Sequence, residues 1–140
     1  MGEVTIVAAI AGAMALGVAS AAAADAIPPC PVPAGVTAAT LDGGAPPALL
    51  KALQARFGGM AKPGQPFNAT DVVTPGEPGS RFILLWGEGS RWVLAYEQGG
   101  IAYNNQLVVF GVAGSSVVTG ETRVAEPDTV CAAARALIGK

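Results

Sequence analysis

The sequence predicts an α+β domain, in which an antiparallel meander of about four strands carries an N-terminal and a C-terminal helix packed on one face. Three observations indicate this fold class. Apolar residues recur at helical spacing over residues 46–57 and again over residues 127–138. Four apolar, strand-like runs lie between these two segments. Short Gly-containing turns separate the runs, and turns of that length join antiparallel neighbours.

Residues 1–24 have the pattern of a secretory signal peptide. An uncharged run of small and apolar residues leads to Ala22 and Ala24, which fit an A-x-A cleavage signal and predict a mature chain that begins at Asp25. This segment contains Glu3 and no basic residue, although signal peptides usually start with one. The alternative is an uncleaved anchor, which would then be the only part of the chain to contact a membrane. Cleavage predicts a periplasmic or secreted protein.

Residues 25–45 are a Pro-rich strap that precedes a single α+β domain at residues 46–140. Prolines at positions 28, 29, 31 and 33 favour an extended path over a helix. Cys30 lies in this strap, and the other cysteine of the sequence is Cys131, near the C-terminal helix. An even pair without C-x-x-C spacing in a small exported domain indicates a disulfide rather than a redox or metal site. We therefore expect Cys30 and Cys131 to fasten the strap to that helix.

Both helices are predicted from their apolar stripes. The stripe of helix 46–57 consists of Leu49, Leu50, Leu53 and Phe57. The stripe of helix 127–138 consists of Cys131, Ala134, Leu137 and Ile138. Pro46 and Pro47 fit the first turn of the earlier helix, and Gly58 follows its last turn as a stop signal.

The strands are predicted from apolar runs between turns. They cover residues 81–86, 91–97, 101–110 and 117–124, with a short edge strand at residues 67–73. The polar residues 104–106 predict a bulge or a solvent-facing stretch in the third of the four. Both alternating sets of residues 81–86 are apolar, so both sheet faces are apolar. With the helices on one face, the other is covered by the strap or meets a partner.

Composition excludes several function classes. The sequence has eight basic and ten acidic residues, and the basic ones do not cluster, so there is no footprint for nucleic acid. It contains no histidine, which excludes Ser-His and Cys-His nucleophile pairs and His-based zinc sites. No P-loop or G-x-G-x-x-G motif occurs. We therefore predict no cofactor and no metal.

The candidate binding surface is aromatic, because every Trp and Tyr falls within residues 86–103. By the two-residue period of a strand, Trp92 and Tyr96 share a face, and Trp86 is predicted to join them across the first hairpin. The candidate binding residues are Trp86, Arg91, Trp92, Tyr96, Glu97, Tyr103 and Asn104. Trp and Tyr suit recognition, since each ring buries much area and keeps a hydrogen-bonding edge. The alternative is that these rings pack across strands within the core.

These features predict a small exported, non-catalytic domain that binds an envelope protein or an extracellular ligand through its aromatic hairpin surface. Two alternatives remain. Glu88 and Glu97 are the only carboxylates beside aromatic residues, so a two-carboxylate glycan hydrolase is the acid–base chemistry left open. The other alternative is a purely structural envelope protein without a ligand.

Overall fold

A computed structural model describes residues 27–140 and confirms the α+β class. The elements are β1 (Thr37–Ala39), α1 (Pro47–Phe57), β2 (Ser80–Glu88), β3 (Arg91–Gln98), β4 (Asn104–Ala113), β5 (Ser116–Ala125) and α2 (Val130–Ile138). The five strands form one antiparallel sheet in the order β1-β2-β3-β4-β5, so every strand lies beside its sequence neighbours. The predicted signal segment and its cleavage site before Asp25 lie outside the described residues. Within residues 27–140, no helix has the length and apolarity needed to cross a membrane.

The sheet has one strand more than predicted, because β1 lies inside the strap. Its three residues pair with Leu85–Gly87 of β2, and a run this short has no readable alternation. The predicted edge strand at residues 67–73 is wrong, since this stretch is a loop. The bulges also differ from the prediction: they lie where the β2–β3 and β4–β5 registers shift, and not at residues 104–106.

The two helices cover opposite faces of the sheet, and not one face as predicted. Leu53 of α1 packs with Leu94 in the α1-side core, whereas Leu137 of α2 packs with Val93 in the α2-side core. Val93 and Leu94 are successive residues of one strand, so their side chains point to opposite faces. The second apolar face is therefore covered by α1, which buries Leu49 and Leu53 and removes that face from solvent.

The first part of the strap packs on the same side of the sheet as α2, whereas Ala39, Leu41 and Ala45 belong to the α1-side core. Ile27, Cys30 and Val36 contact the α2-side core, and the Cys30–Cys131 disulfide joins the strap to the first turn of α2 with a Cα–Cα distance of 5.3 Å. The predicted cysteine pairing is confirmed. The bond encloses the sheet and α1, because its two cysteines are 101 residues apart in the sequence.

Candidate functional site

Three of the four predicted surface rings lie in the core. Trp86, Trp92 and Tyr96 are only 2%, 5% and 3% exposed, while Tyr103 is 40% exposed. The Tyr96 hydroxyl donates to Gln106 Oε1 at 2.9 Å, and burial raises its pKa despite the nearby Arg56 charge. The aromatic hairpin expected as a surface is therefore mostly cross-strand core packing, with Tyr103 as its one accessible ring.

Trp86 and Trp92 do not meet across the first hairpin. Trp86 pairs with Val93 and belongs to the α2-side core, whereas Trp92 pairs with Gly87 and belongs to the α1-side core. A Cβ atom on Gly87 would lie 2.5 Å from the indole carbons of Trp92, so Trp92 packs over a bare glycine backbone. Trp92 and Tyr96 do share one face, as predicted.

The remaining predicted polar residues hold local structure together. Arg91 Nε donates to the Leu137 carbonyl oxygen at 2.6 Å, which places a cation at the C-terminal end of α2 where the last carbonyls lack helical partners. Asn104 Nδ2 donates to the Ala102 carbonyl at 2.8 Å. Arg91 lies at the opposite end of β3 from Glu97, so the predicted residues do not form a single patch.

Glu97 forms a buried ion pair with Arg81, a residue that the sequence analysis did not single out. The two guanidinium–carboxylate distances are 2.5 Å from Nε and 2.9 Å from Nη2. The Arg81 side chain is 3% exposed and the Glu97 side chain is 2% exposed. Arg81 also lies over the ring of Phe67, 4.6 Å from its centroid, and Nη1 donates to the Gln65 carbonyl. A buried, bidentate pair of this kind fixes the orientation of both side chains.

Tyr103 extends this ion pair to the surface. Its hydroxyl donates to Glu97 Oε1 at 2.6 Å. Partial burial, together with this hydrogen bond and the Glu97 charge, raises the pKa of Tyr103 to about 12. A raised pKa in the folded state means that folding favours the neutral phenol. The contribution of Tyr103 to the free energy of unfolding is therefore complete below the ordinary pKa near 10 and is lost as the pH approaches 12.

The ion pair lies beneath two neighbouring loops, residues 62–79 and 99–103, which we call the paired loops. Within the first, the Asn68 carboxamide donates to the carbonyls of Thr74 and Glu77 and accepts from the Thr74 amide at 2.6 Å. The Asn68 amide also donates to the Pro78 carbonyl at 2.8 Å. One side chain thus supplies the hydrogen bonds that a Pro- and Gly-rich segment cannot make as a strand.

The paired loops are fastened to each other at Gly99. Its amide donates to the Gly79 carbonyl at 2.9 Å. A Cβ atom on Gly99 would lie 1.7 Å from the Asn68 carbonyl oxygen, so this close approach of two backbones requires glycine. The rings of Phe67 and Tyr103 add a contact with centroids 6.4 Å apart.

We expect Gly99→Ala to separate the paired loops and to lower the free energy of unfolding by about 1–3 kcal/mol, the usual cost of overpacking. Limited proteolysis should cut residues 62–79 faster, and chemical denaturation gives the free energy. Gly111→Ala is the matched control, because Gly111 lies in β4 and a Cβ atom there meets nothing within 4 Å. Equal behaviour of the two variants would contradict the close approach.

Both loops expose apolar side chains to solvent. Val72 and Val73 are 74% and 70% exposed, and Ile101 is 93% exposed. Their backbone is nevertheless held by the Asn68 and Gly99 hydrogen bonds and by the ion pair below. Exposed apolar groups on a fixed backbone are typical of a recognition surface, since binding then orders little additional chain.

An apolar groove of about 400 Å³ lies beside the start of the first loop. Its lining includes Leu41, Met60, Ala61, Pro63 and Phe82. Lys62 and Asp42, which also line it, form an exposed ion pair at 3.2 Å. The volume fits a small ligand, and the few polar groups at its rim could orient one.

The carboxylate geometry does not match the hydrolase alternative. Glu88 pairs with Arg91 at one end of β3, and Glu97 lies near the other end. At about 3.3 Å per residue the two carboxylates are roughly 20 Å apart, while glycosidase pairs are about 5–10 Å apart. Glu97 is also buried in its pair with Arg81. In the part of the chain that the structure describes, no group of three or more His, Cys, Asp or Glu residues is placed to hold a metal ion.

The residue patterns do not reveal the roles of Arg81, Val72 and Val73. The apolar neighbours of Arg81 predict only that it lies in a strand, and Val72 and Val73 fit the short edge strand predicted at residues 67–73. Predicting the Arg81–Glu97 pair requires the position of the β2 bulge, which no residue pattern marks.

Comparisons with models of protein families, with functionally characterised proteins and with solved structures found no match to this chain.

Proposed function

We propose that this protein is a small exported, non-catalytic binding domain, and that the paired loops contact an envelope or extracellular protein. The observation that carries the proposal is the exposure of Val72, Val73 and Ile101 on loops that are fixed from below. Water contact with these side chains is unfavourable, and a partner that covers them recovers that free energy. Tyr103, on the second of the paired loops, adds a ring with a fixed hydroxyl.

A protein partner suits this surface better than a small molecule does. The exposed residues are loop tips, whereas small molecules bind in concave sites that surround them. Loops positioned by a rigid scaffold are also where proteins commonly place recognition residues. The Cys30–Cys131 disulfide supports export, because such bonds persist in oxidising compartments and are rare in the cytosol.

The test compares cross-linked partners of three forms of the protein in an envelope extract. We expect the wild type to retain a defined partner and Val72→Ser/Ile101→Ser to lose at least about nine-tenths of it, equivalent to about 1.4 kcal/mol. The matched control is Val32→Ser, which alters an exposed valine in the strap and should retain the partner. Circular dichroism checks that each variant is folded. Equal retention by all three forms would rule out the paired loops.

A second candidate is an extracellular small ligand in the groove, favoured by its volume and apolar lining. Met60→Trp would fill the groove and leave the paired loops unchanged. A ligand that binds the wild type and the loop variant, but not Met60→Trp, would identify the groove as the binding site. A partner that binds the wild type and Met60→Trp, but not the loop variant, supports the paired loops as the binding site.

A further inference from the structure

The two edges of the sheet are treated differently by the fold. At the first edge, β1 pairs with Leu85–Gly87, and Ala61 forms a parallel bridge to Arg81. At the second edge, β5 has β4 as its only strand neighbour within the described residues. β5 has ten residues, far more than β1 has. A long open edge leaves backbone donors and acceptors available to another strand.

The exposed side chains of β5 are suited to strand pairing. Val118 and Val124 are exposed although valine is favoured within sheets. Thr119 and Thr122 are exposed as well. A partner strand would cover these branched side chains, since directly opposite residues in an antiparallel pair are about 4.5–5.5 Å apart. β5 therefore exposes four branched side chains along an edge that, within the described residues, has no neighbour on its outer side.

The charges of β5 are complementary to themselves. Glu121 and Arg123 are two residues apart on one face, and Arg123 Nη2 contacts Glu121 Oε1 at 2.6 Å. If two copies of β5 pair antiparallel with Thr122 opposite Thr122, Glu121 of each copy faces the partner's Arg123. Opposite charges that face each other across strands stabilise the pair.

We propose that a second copy of this chain binds at β5, so that two five-stranded sheets join across a two-fold axis at Thr122. Closed two-fold pairing is the commonest form of homo-oligomer. The bulge in β5 falls between Thr119 and Thr122, and the register from Thr122 to Ala125 is regular. The Glu121–Arg123 pair and the Lys140–Glu121 contact at 3.5 Å are both exposed. Replacing these contacts within one chain by contacts between the two copies costs little, because exposed ion pairs contribute little to stability.

The proposal is tested by sedimentation velocity of purified, disulfide-bonded wild type and two charge variants. Glu121→Arg gives each copy two arginines in the pairing register, and Arg123→Glu gives each copy two glutamates. Each change turns two attractive cross-strand pairs into two repulsive ones, so we expect the dimer dissociation constant of either variant alone to rise at least about tenfold. An equimolar mixture of the variants restores the attraction and should form a mixed dimer, seen by native mass spectrometry.

Each outcome decides the proposal. A dimeric wild type, weakened single variants and a mixed dimer that recovers the wild-type affinity support it. A wild type that stays monomeric at every concentration overturns it, as does a dimer that neither variant weakens. A mixture that remains as weak as its components overturns the Glu121–Arg123 register. The paired loops take no part in this dimer, so the outcome of the partner test under the proposed function does not affect the outcome of the dimer test.

Discussion

Replacing Glu97 by Gln is expected to lower the free energy of unfolding by about 3–5 kcal/mol, because it leaves the Arg81 charge buried without its carboxylate. Glutamine has nearly the same shape as glutamate, so the loss reports charge pairing rather than packing. The Tyr103 hydroxyl also loses its charged acceptor. Since the pair lies beneath the paired loops, we expect faster proteolysis of residues 62–79 as well. Urea denaturation provides the free energy.

Asp42→Asn is the matched control for this experiment. It removes a carboxylate from an exposed ion pair with Lys62, where we expect a loss of about 1 kcal/mol or less. The double variant Arg81→Met/Glu97→Met removes both buried charges and should recover much of the stability that Glu97→Gln loses. Equal losses in Glu97→Gln and Asp42→Asn would contradict a buried pair.

Replacing both cysteines by serine is expected to destabilise the domain by about 4–5 kcal/mol in the chain-entropy description of disulfides. The reason is the length of chain that the bond closes, since Cys30 and Cys131 are 101 positions apart in the sequence. The strap contacts the α2-side core through few side chains, among them Ile27 and Val36. Without the bond, we expect the part of the strap before β1 to detach from α2 and the sheet.

Denaturation of the oxidised wild type, the reduced wild type and the double serine variant provides the measurement. Reduction should reproduce the effect of the substitutions, which separates the bond itself from the change of side chain. Hydrogen exchange should rise first in the strap and α2, while α1 on the opposite face retains its protection. An unchanged denaturation midpoint after reduction would show that the strap is held without the bond.

The elements with strong local patterns could be predicted from the sequence. The stripe from Leu49 to Phe57 and the Gly58 stop predict α1 to within a residue. The Gly-containing run at residues 87–90 predicts the β2–β3 hairpin, in which only Gly89 and Ser90 lie outside the strands. The pairing of Cys30 and Cys131 follows from there being two cysteines. These features depend on short-range spacing or on counting, and no tertiary information is needed for them.

The face that each helix covers could not be predicted, because both faces of the sheet are apolar. Val93 and Leu94 are equally suitable partners for a helix, and α1 and α2 each have an apolar stripe. A polar sheet face would have forced both helices to one side. With two apolar faces, the apolar pattern is satisfied by either arrangement, so it does not assign a face to each helix.

The Arg81–Glu97 ion pair could not be predicted, because it depends on a shift of one residue in the β2–β3 register. Counting outward from the Glu88–Arg91 pair at the turn would place Arg81 opposite Gln98. The extra residue in β2, between Phe82 and Leu84, moves Arg81 opposite Glu97 instead. A shift of one residue exchanges the faces of a strand, so the buried ion pair depends on the bulge.

The position of the second cysteine has a consequence for the order of events during biosynthesis. Cys131 follows all five strands, while every strand of the sheet pairs with a neighbour already made or next to be made. The bond therefore cannot form until all five strands have been synthesised. A chain released before residue 131 would contain the whole sheet and no covalent cross-link to its strap.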